Sequence, residues 1–272
     1  MLLASEPEFA LEAERAGVDR IFYDLEFLNK RERQRGRNTV ISNNTVEGIS
    51  AVRSVLNQSE LLVRTNPVNP YLAEEIDRCI DSGADILMLP MAIDRDDALA
   101  FVNMVNGRAK VCIMIETPQA FCRLHDICAV DGIDEIFIGL NDLHIGMKLT
   151  FMFEVLSGGL VEYMADVLKQ FGLPFGFGGI AKIGEGLLPA DNILGEHYRL
   201  GSETVILSRT FQNHPDVISS ASSIDLKHEV DLVRQREREI RLWCNDEYEL
   251  NQKTVCEKTR EIVSLINARS RD

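Results

Sequence analysis

Charged and polar residues stand where apolar runs of the chain give way to loops: Asp24 and Glu26, Arg64 with Asn66, Glu116 with Thr117, Asn141 with Asp142, and Arg209. The acids Glu116 and Asp142, at the ends of successive runs, can share a hard divalent cation such as Mg²⁺, which takes oxygen ligands, keeps several waters and leaves positions for a substrate. Taken singly, each acid is as well explained by a surface salt bridge or a helix N-cap, so it is the constellation that points to a cation. Arg64 has two readings. It is a scaffold cation balancing Glu26, or a guanidinium fork for a substrate carboxylate or a developing enolate. His144 follows Asp142 by two residues, where it is either an acid–base group with a near-neutral pKa or a support that orients Asp142 or caps a loop.

These residues need elements to place them. The runs DRIFYDLE (19–26), ELLVRTN (60–66), ADILMLP (84–90), VCIMIET (111–117), EIFIGLND (135–142), PFGFGG (174–179) and TVILSR (204–209) read as strands, and MLLA at the start supplies an eighth. Most are continuously apolar, as strands covered on both faces must be. Amphipathic helical stretches such as NPYLAEEIDRCIDSGA, PQAFCRLHDICAV and LVEYMADVLKQFG lie between them. Strand and helix alternate, and no GxGxxG follows the first strand, so the pattern predicts an α/β fold, a (β/α)₈ TIM barrel over residues 1–215 rather than an open dinucleotide-binding sheet. Residues 216–272 read as a C-terminal helical extension. Its apolar stripe, Val230, Val233, Ile240, Trp243, Val255, Ile262, Val263 and Ile266, must be buried either on its own barrel or by exchange with a neighbouring subunit.

In a barrel, reactive groups come from the C-terminal ends of several strands. Gly178, Gly179 and Arg209 would then form an anion site after the last two strands, suited to a phosphorylated or carboxylated aldehyde. The glycine-rich stretch 176–202, which lacks Walker spacing, reads more simply as a turn of the chain over the barrel mouth. The polar loop 29–48 reads as facing the active site.

Composition narrows the function further. The 272 residues are 45% hydrophobic and carry a formal charge of −14, nearly all of it on residues 1–224, which opposes binding to a nucleic-acid backbone or an anionic membrane. Six cysteines without a CxxC pair read as reduced thiols, and no signal peptide or membrane span is evident, so a cytoplasmic enzyme is expected.

The ordered set AGVDRIFYDLE, LLVRTNP, SGADILMLP, VCIMIETPQAF and IDEIFIGLNDLHIGM resembles the HpcH/HpaI aldolase and citrate lyase β-subunit family, metal-dependent members of the phosphoenolpyruvate/pyruvate barrel superfamily. The I-E-T at 115–117 and the I-G-x-x-D-L run at 138–143 are its most specific parts. The resemblance implies that Glu116 and Asp142 ligate Mg²⁺ or Mn²⁺. It implies also that Arg64 binds a keto acid and its enolate, and that the backbone amides of Gly139, Leu140 and Asn141 receive a carboxylate. Thr117 and Arg209 complete the expected substrate-binding set; Glu26, orienting water or Arg64, and His144 join Arg64 as expected catalytic groups. No Schiff-base lysine is needed, and Lys182 reads as solvated.

The chain departs from the family at two places. Phe27 stands where the aldolase branch has a histidine, and Met91 where citrate-lyase-like members carry a lysine. The expected function is a metal-dependent lyase of the class II pyruvate aldolase type, making or breaking a C–C bond beside a keto acid through a metal-bound enolate, with small keto-acid and aldehyde partners. The alternatives are acyl-CoA or phosphoenolpyruvate chemistry of the same superfamily, or a barrel that has lost catalysis and binds a metabolite. The resemblance further implies a homo-oligomer, trimeric or hexameric.

Overall fold

The computed structural model describes residues 1–28, 44–212 and 224–269. Most of the 29–48 loop therefore lies outside the described residues. Eight parallel strands follow one another around a closed barrel: β1 (Leu2–Leu3), β2 (Arg20–Asp24), β3 (Glu60–Arg64), β4 (Ile86–Leu89), β5 (Lys110–Ile115), β6 (Glu135–Ile138), β7 (Phe175–Ile180) and β8 (Thr204–Leu207). This is the expected (β/α)₈ TIM barrel. The apolar runs became strands because the centres of β2 to β6 are buried on both faces, where Ile, Leu, Val and Phe lose most water-exposed area.

Contacts divide the chain into two compact units, Met1–Ile115 with Gln119–Phe137, and Glu116–Pro118 with Ile138–Asp272. In the first, β2 and β3 pair in a register that sets Ile21 beside Leu61 and Asp24 beside Arg64. The helices α1 (Pro7–Ala16), α2 (Val46–Val55), α3 (Leu72–Asp81) and α4 (Arg95–Val105) return the chain between strands. Asp94 starts α4 by accepting from the backbone N–H groups of Asp96 and Asp97. The expected single helix over PQAFCRLHDICAV is two, α5 (Pro118–Cys122) and α6 (Leu124–Cys128). Arg123 separates them with a non-helical backbone and donates from Nη1 to the carbonyl of Ile93.

In the second unit, β6 stops at Ile138, and the next residues form α7 (Leu140–Gly146) instead of prolonging a strand to Asp142. Glycine at 139 ends the apolar run, and Asp142 in the first turn favours a helix N-terminus. Two further helices, α8 (Glu154–Ser157) and α9 (Leu160–Phe171), lead to β7. The pairing of β7 with β8 slips between Gly176 and Gly179, and Gly178 there has φ +50°, a left-handed value that glycine adopts without a Cβ penalty.

After β8 come α10's partners from the tail, α10 itself being Ala190–Leu200, just before β8. The tail forms α11 (Leu226–Ile240) and α12 (Asn245–Arg269), with a break between them at 241–244. Val230, Val233, Ile240, Val255 and Ile262 of the tail's stripe are buried. Helix α12 lies along α10 and α8 of its own chain. Asn251 reaches from α12 to the buried Glu196 carboxylate and the Asn192 carbonyl of α10, both at 3.0 Å. All six cysteines are free thiols.

Candidate active site

The β2–β3 register brings Asp24 and Arg64 together. Arg64 donates from Nε to Asp24 Oδ1 and from Nη2 to Asp24 Oδ2, each at 2.8 Å, the two-point geometry that matches a guanidinium to a carboxylate. Glu26 Oε2 lies 3.4 Å from the same Nη2, and Phe22 presents its ring to the guanidinium at 5.3 Å. Both acids are almost fully buried. The chain bends just after β2 so that Glu26 can turn back: its N–H donates to Asp24 Oδ1 at 3.1 Å. Arg64 is thus held as a scaffold cation, with Asp24, rather than Glu26, as its main partner. Sequence reading placed Asp24 at a strand end without assigning it this role; the facing register across 40 positions is the missing information.

Asn66 has a structural task. Its Oδ1 accepts from the N–H groups of Phe27 and Leu28, both at 3.1 Å, while its own N–H and Nδ2 donate to the Glu75 carboxylate of α3. The clamp fixes the segment after β2, and Phe27, at the family's histidine position, is left 57% exposed. Met91, at the family's lysine position after β4, takes a left-handed φ of +56°.

In the second unit, Glu116 and Thr117 follow β5 and are buried, at 2% and 4% exposure. Asn141 and Asp142 lie in the first turn of α7, half-buried, and not at a strand end. Pro118 packs on Gly146, the last residue of α7, closely enough that a Cβ on Gly146 would stand 2.7 Å from Pro118 Cδ. His144 is buried on α7. A separation of two residues turns its side chain about 200° from that of Asp142, so the two do not face each other. Leu140 is buried over Gly178 of β7, and a Cβ there would meet its Cδ1 at 2.8 Å. The glycines of β7 thereby have a packing reason: Gly178 admits Leu140, and Gly179 lies close to the Ile206 carbonyl of β8. Arg209 begins a short 3₁₀ turn directly after β8. Lys182, expected to be solvated, instead has a largely covered side chain, 20% exposed, paired with Glu185 at 3.1 Å and Glu229 at 3.8 Å.

Among the described residues, no group of three or more His, Cys, Asp or Glu side chains converges as a closed metal cage. Two carboxylates, Glu116 and Asp142, are a donor set of another kind. Hard oxygen ligands in that number suit Mg²⁺ or Mn²⁺, which keep waters and fill their remaining positions from a substrate, and do not suit a structural zinc site. The donors present therefore fit the implied cation.

A family model described as HpcH/HpaI aldolase/citrate lyase matches residues 1–154. The chain belongs to that family. Its namesakes are lyases, which places the chain among aldolase- and citrate lyase-type enzymes. A hydroxypyruvate/pyruvate aldolase of Roseovarius nubinhibens is 23% identical over 200 residues, 61% of this chain and 76% of the relative. Among solved structures, an HpcH/HpaI aldolase/citrate lyase family protein of Burkholderia cenocepacia aligns with TM-score 0.61 and 18% identity, over 89% of this chain and 93% of the other. A citrate lyase beta subunit of Mycobacterium tuberculosis, complexed with oxaloacetate and magnesium, aligns with TM-score 0.60 and 16% identity, over 88% of this chain and 95% of that one. Both structural likenesses carry the barrel fold. No helix among the described residues is long and apolar enough to cross a membrane.

Proposed function

We propose that the chain is a divalent-cation-dependent lyase that makes or breaks a carbon–carbon bond beside a pyruvate-type keto acid. The observation that carries this reading is the packing of Pro118 on Gly146, which ties the segment bearing Glu116 to the helix bearing Asp142. The magnesium and oxaloacetate bound by the mycobacterial relative and the name of the Roseovarius aldolase support it.

Glu116 and Asp142 would hold Mg²⁺ or Mn²⁺. When bound, the cation supplies Lewis acidity to a keto oxygen on which negative charge develops. Arg64, aimed by its two-point contact with Asp24, takes the keto-acid charge, and Glu26 beside Nη2 holds the guanidinium against the recoil of substrate binding. The amides of Gly139, Leu140 and Asn141, at the start of α7, receive a carboxylate, with Thr117 beside Glu116 as a hydroxyl donor. Arg209, after β8, attracts the charge of a carboxylated or phosphorylated aldehyde. His144, buried on another face of α7 from Asp142, is given no step. We assign the protein to a homo-oligomer acting on small keto-acid and aldehyde substrates in the cytoplasm.

Exchange of the pyruvate C3 protons for deuterium, followed by NMR, tests the reading. Exchange that requires Mg²⁺ or Mn²⁺ and is lost in Glu116→Ala is expected. No exchange in the wild type, or undiminished exchange in the variant, overturns it. Turnover of acyl-CoA substrates without pyruvate exchange would move the assignment to the citrate lyase side of the family.

A further inference from the structure

Helix α7 is seated against glycine at both ends. At its start Leu140 lies over Gly178, and at its end Gly146 lies under Pro118. Gly146 is not among the residues of positive φ, so its backbone conformation does not call for glycine. The close approach does: a Cβ there would stand 2.7 Å from Pro118 Cδ and 3.0 Å from Cγ. A proline ring has no rotamer through which to swing aside, so the added atom must move the helix or the 116–118 segment.

Either movement reaches a carboxylate. Asp142 and Gly146 are four residues apart, which puts them on one face of α7, and that is the face Pro118 covers. Glu116 stands two residues before Pro118 in the same segment. The contact is consequently a mechanical link between the two acids: one lies a single helical turn from it, the other two peptide units from it.

We infer that Gly146 and Pro118 are positioning residues that set the separation of Glu116 and Asp142, and through it the affinity for a divalent cation. The inference rests on the cation-dependent reading of the same two acids. Groups that orient metal ligands without touching the metal alter affinity by about 10- to 100-fold when changed, because ligand placement tolerates errors of only about half an ångström.

The test is a size swap read by electron paramagnetic resonance of free Mn²⁺, which reports binding without reference to turnover. Gly146→Ala should weaken Mn²⁺ binding about 10-fold or more. Pro118→Ala, which empties the space, should weaken it as well. The double variant Gly146→Ala/Pro118→Ala, in which the new methyl occupies the vacated volume, should return to within about threefold of the wild type, a rescue that general destabilisation does not produce. Wild-type affinity in Gly146→Ala overturns the inference, as does a double variant no better than the singles. If Gly146→Ala does not fold, Pro118→Ala against the double variant decides the matter by the same comparison. A wild type that binds no Mn²⁺ overturns the cation-dependent reading itself, and this inference with it; a wild type that binds while the singles bind equally well overturns the inference alone.

Discussion

Asp24 and Arg64 face each other across β2 and β3 as a two-point pair, each contact 2.8 Å long, with Glu26 3.4 Å from the shared Nη2. One cation thus serves two buried acids. Removing the two-point partner leaves a largely covered guanidinium poorly compensated. Asp24→Ala is expected to cost about 3–5 kcal/mol in urea unfolding, and Asp24→Asn, which keeps one acceptor, about 1.5–3 kcal/mol. In Asp24→Asn the fork loses its aim, so KM for the keto acid should rise by more than kcat falls.

His197 stacks on Phe177 with ring centroids 3.7 Å apart and shares a hydrogen bond between Nδ1 and Ser202 Oγ at 2.8 Å. Burial disfavours its charged form and lowers its pKa from the ordinary 6.5 to about 3. The unfolded chain takes up the proton near pH 6.5 while the folded chain refuses it until about pH 3. This contribution to stability is therefore complete above pH 6.5 and is lost as pH falls toward 3, at up to about 1.4 kcal/mol per pH unit. Urea midpoints at pH 7, 6 and 5 should fall more steeply for the wild type than for His197→Gln; parallel curves would refute this.

Asn251 donates to Glu196, buried at 1% exposure, while its own Oδ1 accepts from Asn192 Nδ2 at 2.8 Å. Asn251→Leu leaves an acid of α10 short of a donor and crowds Gly195, where even a Cβ would lie 2.6 Å from Asn251 Nδ2. A loss of about 2–3 kcal/mol is expected, with faster amide exchange across α12.

Gly178→Ala places a Cβ 2.8 Å from Leu140 Cδ1 on a backbone of φ +50°. Left-handed strain alone is worth about 1–2 kcal/mol, and overpacking adds to it. Thermal unfolding should show the loss, and a Leu140→Ala background should remove the overpacking part but not the strain.

Mg²⁺ or Mn²⁺ at about 100 times its dissociation constant should stabilise the folded chain by about 2.7 kcal/mol. Glu116→Gln should abolish that increment in a thermal melt. Persistence of the full increment in the variant would place the cation elsewhere.

The residues proposed to carry the chemistry stand out in the sequence because apolar strands make terminal charges conspicuous: Glu116 and Arg64, like Asp24, each close such a run. What they touch was not legible. The Asp24–Arg64 pair joins residues 40 positions apart and depends on strand register, which local patterning does not encode. The first residues of α7, Leu140 to Asp142, read in sequence as the end of a strand because seven residues give too short a periodicity to separate helix from strand.

Alternating buried strands and amphipathic helices, with charges at the strand ends, follow from the sequence by itself, since burial and periodicity are properties of neighbouring residues. The tertiary structure alone decided that Gly178 admits Leu140, that Gly146 admits Pro118, and that Asp24 rather than Glu26 grips Arg64. Each of these depends on close approach between segments distant in the chain, and the absence of a Cβ acquires meaning only from the atom that comes to lie against it.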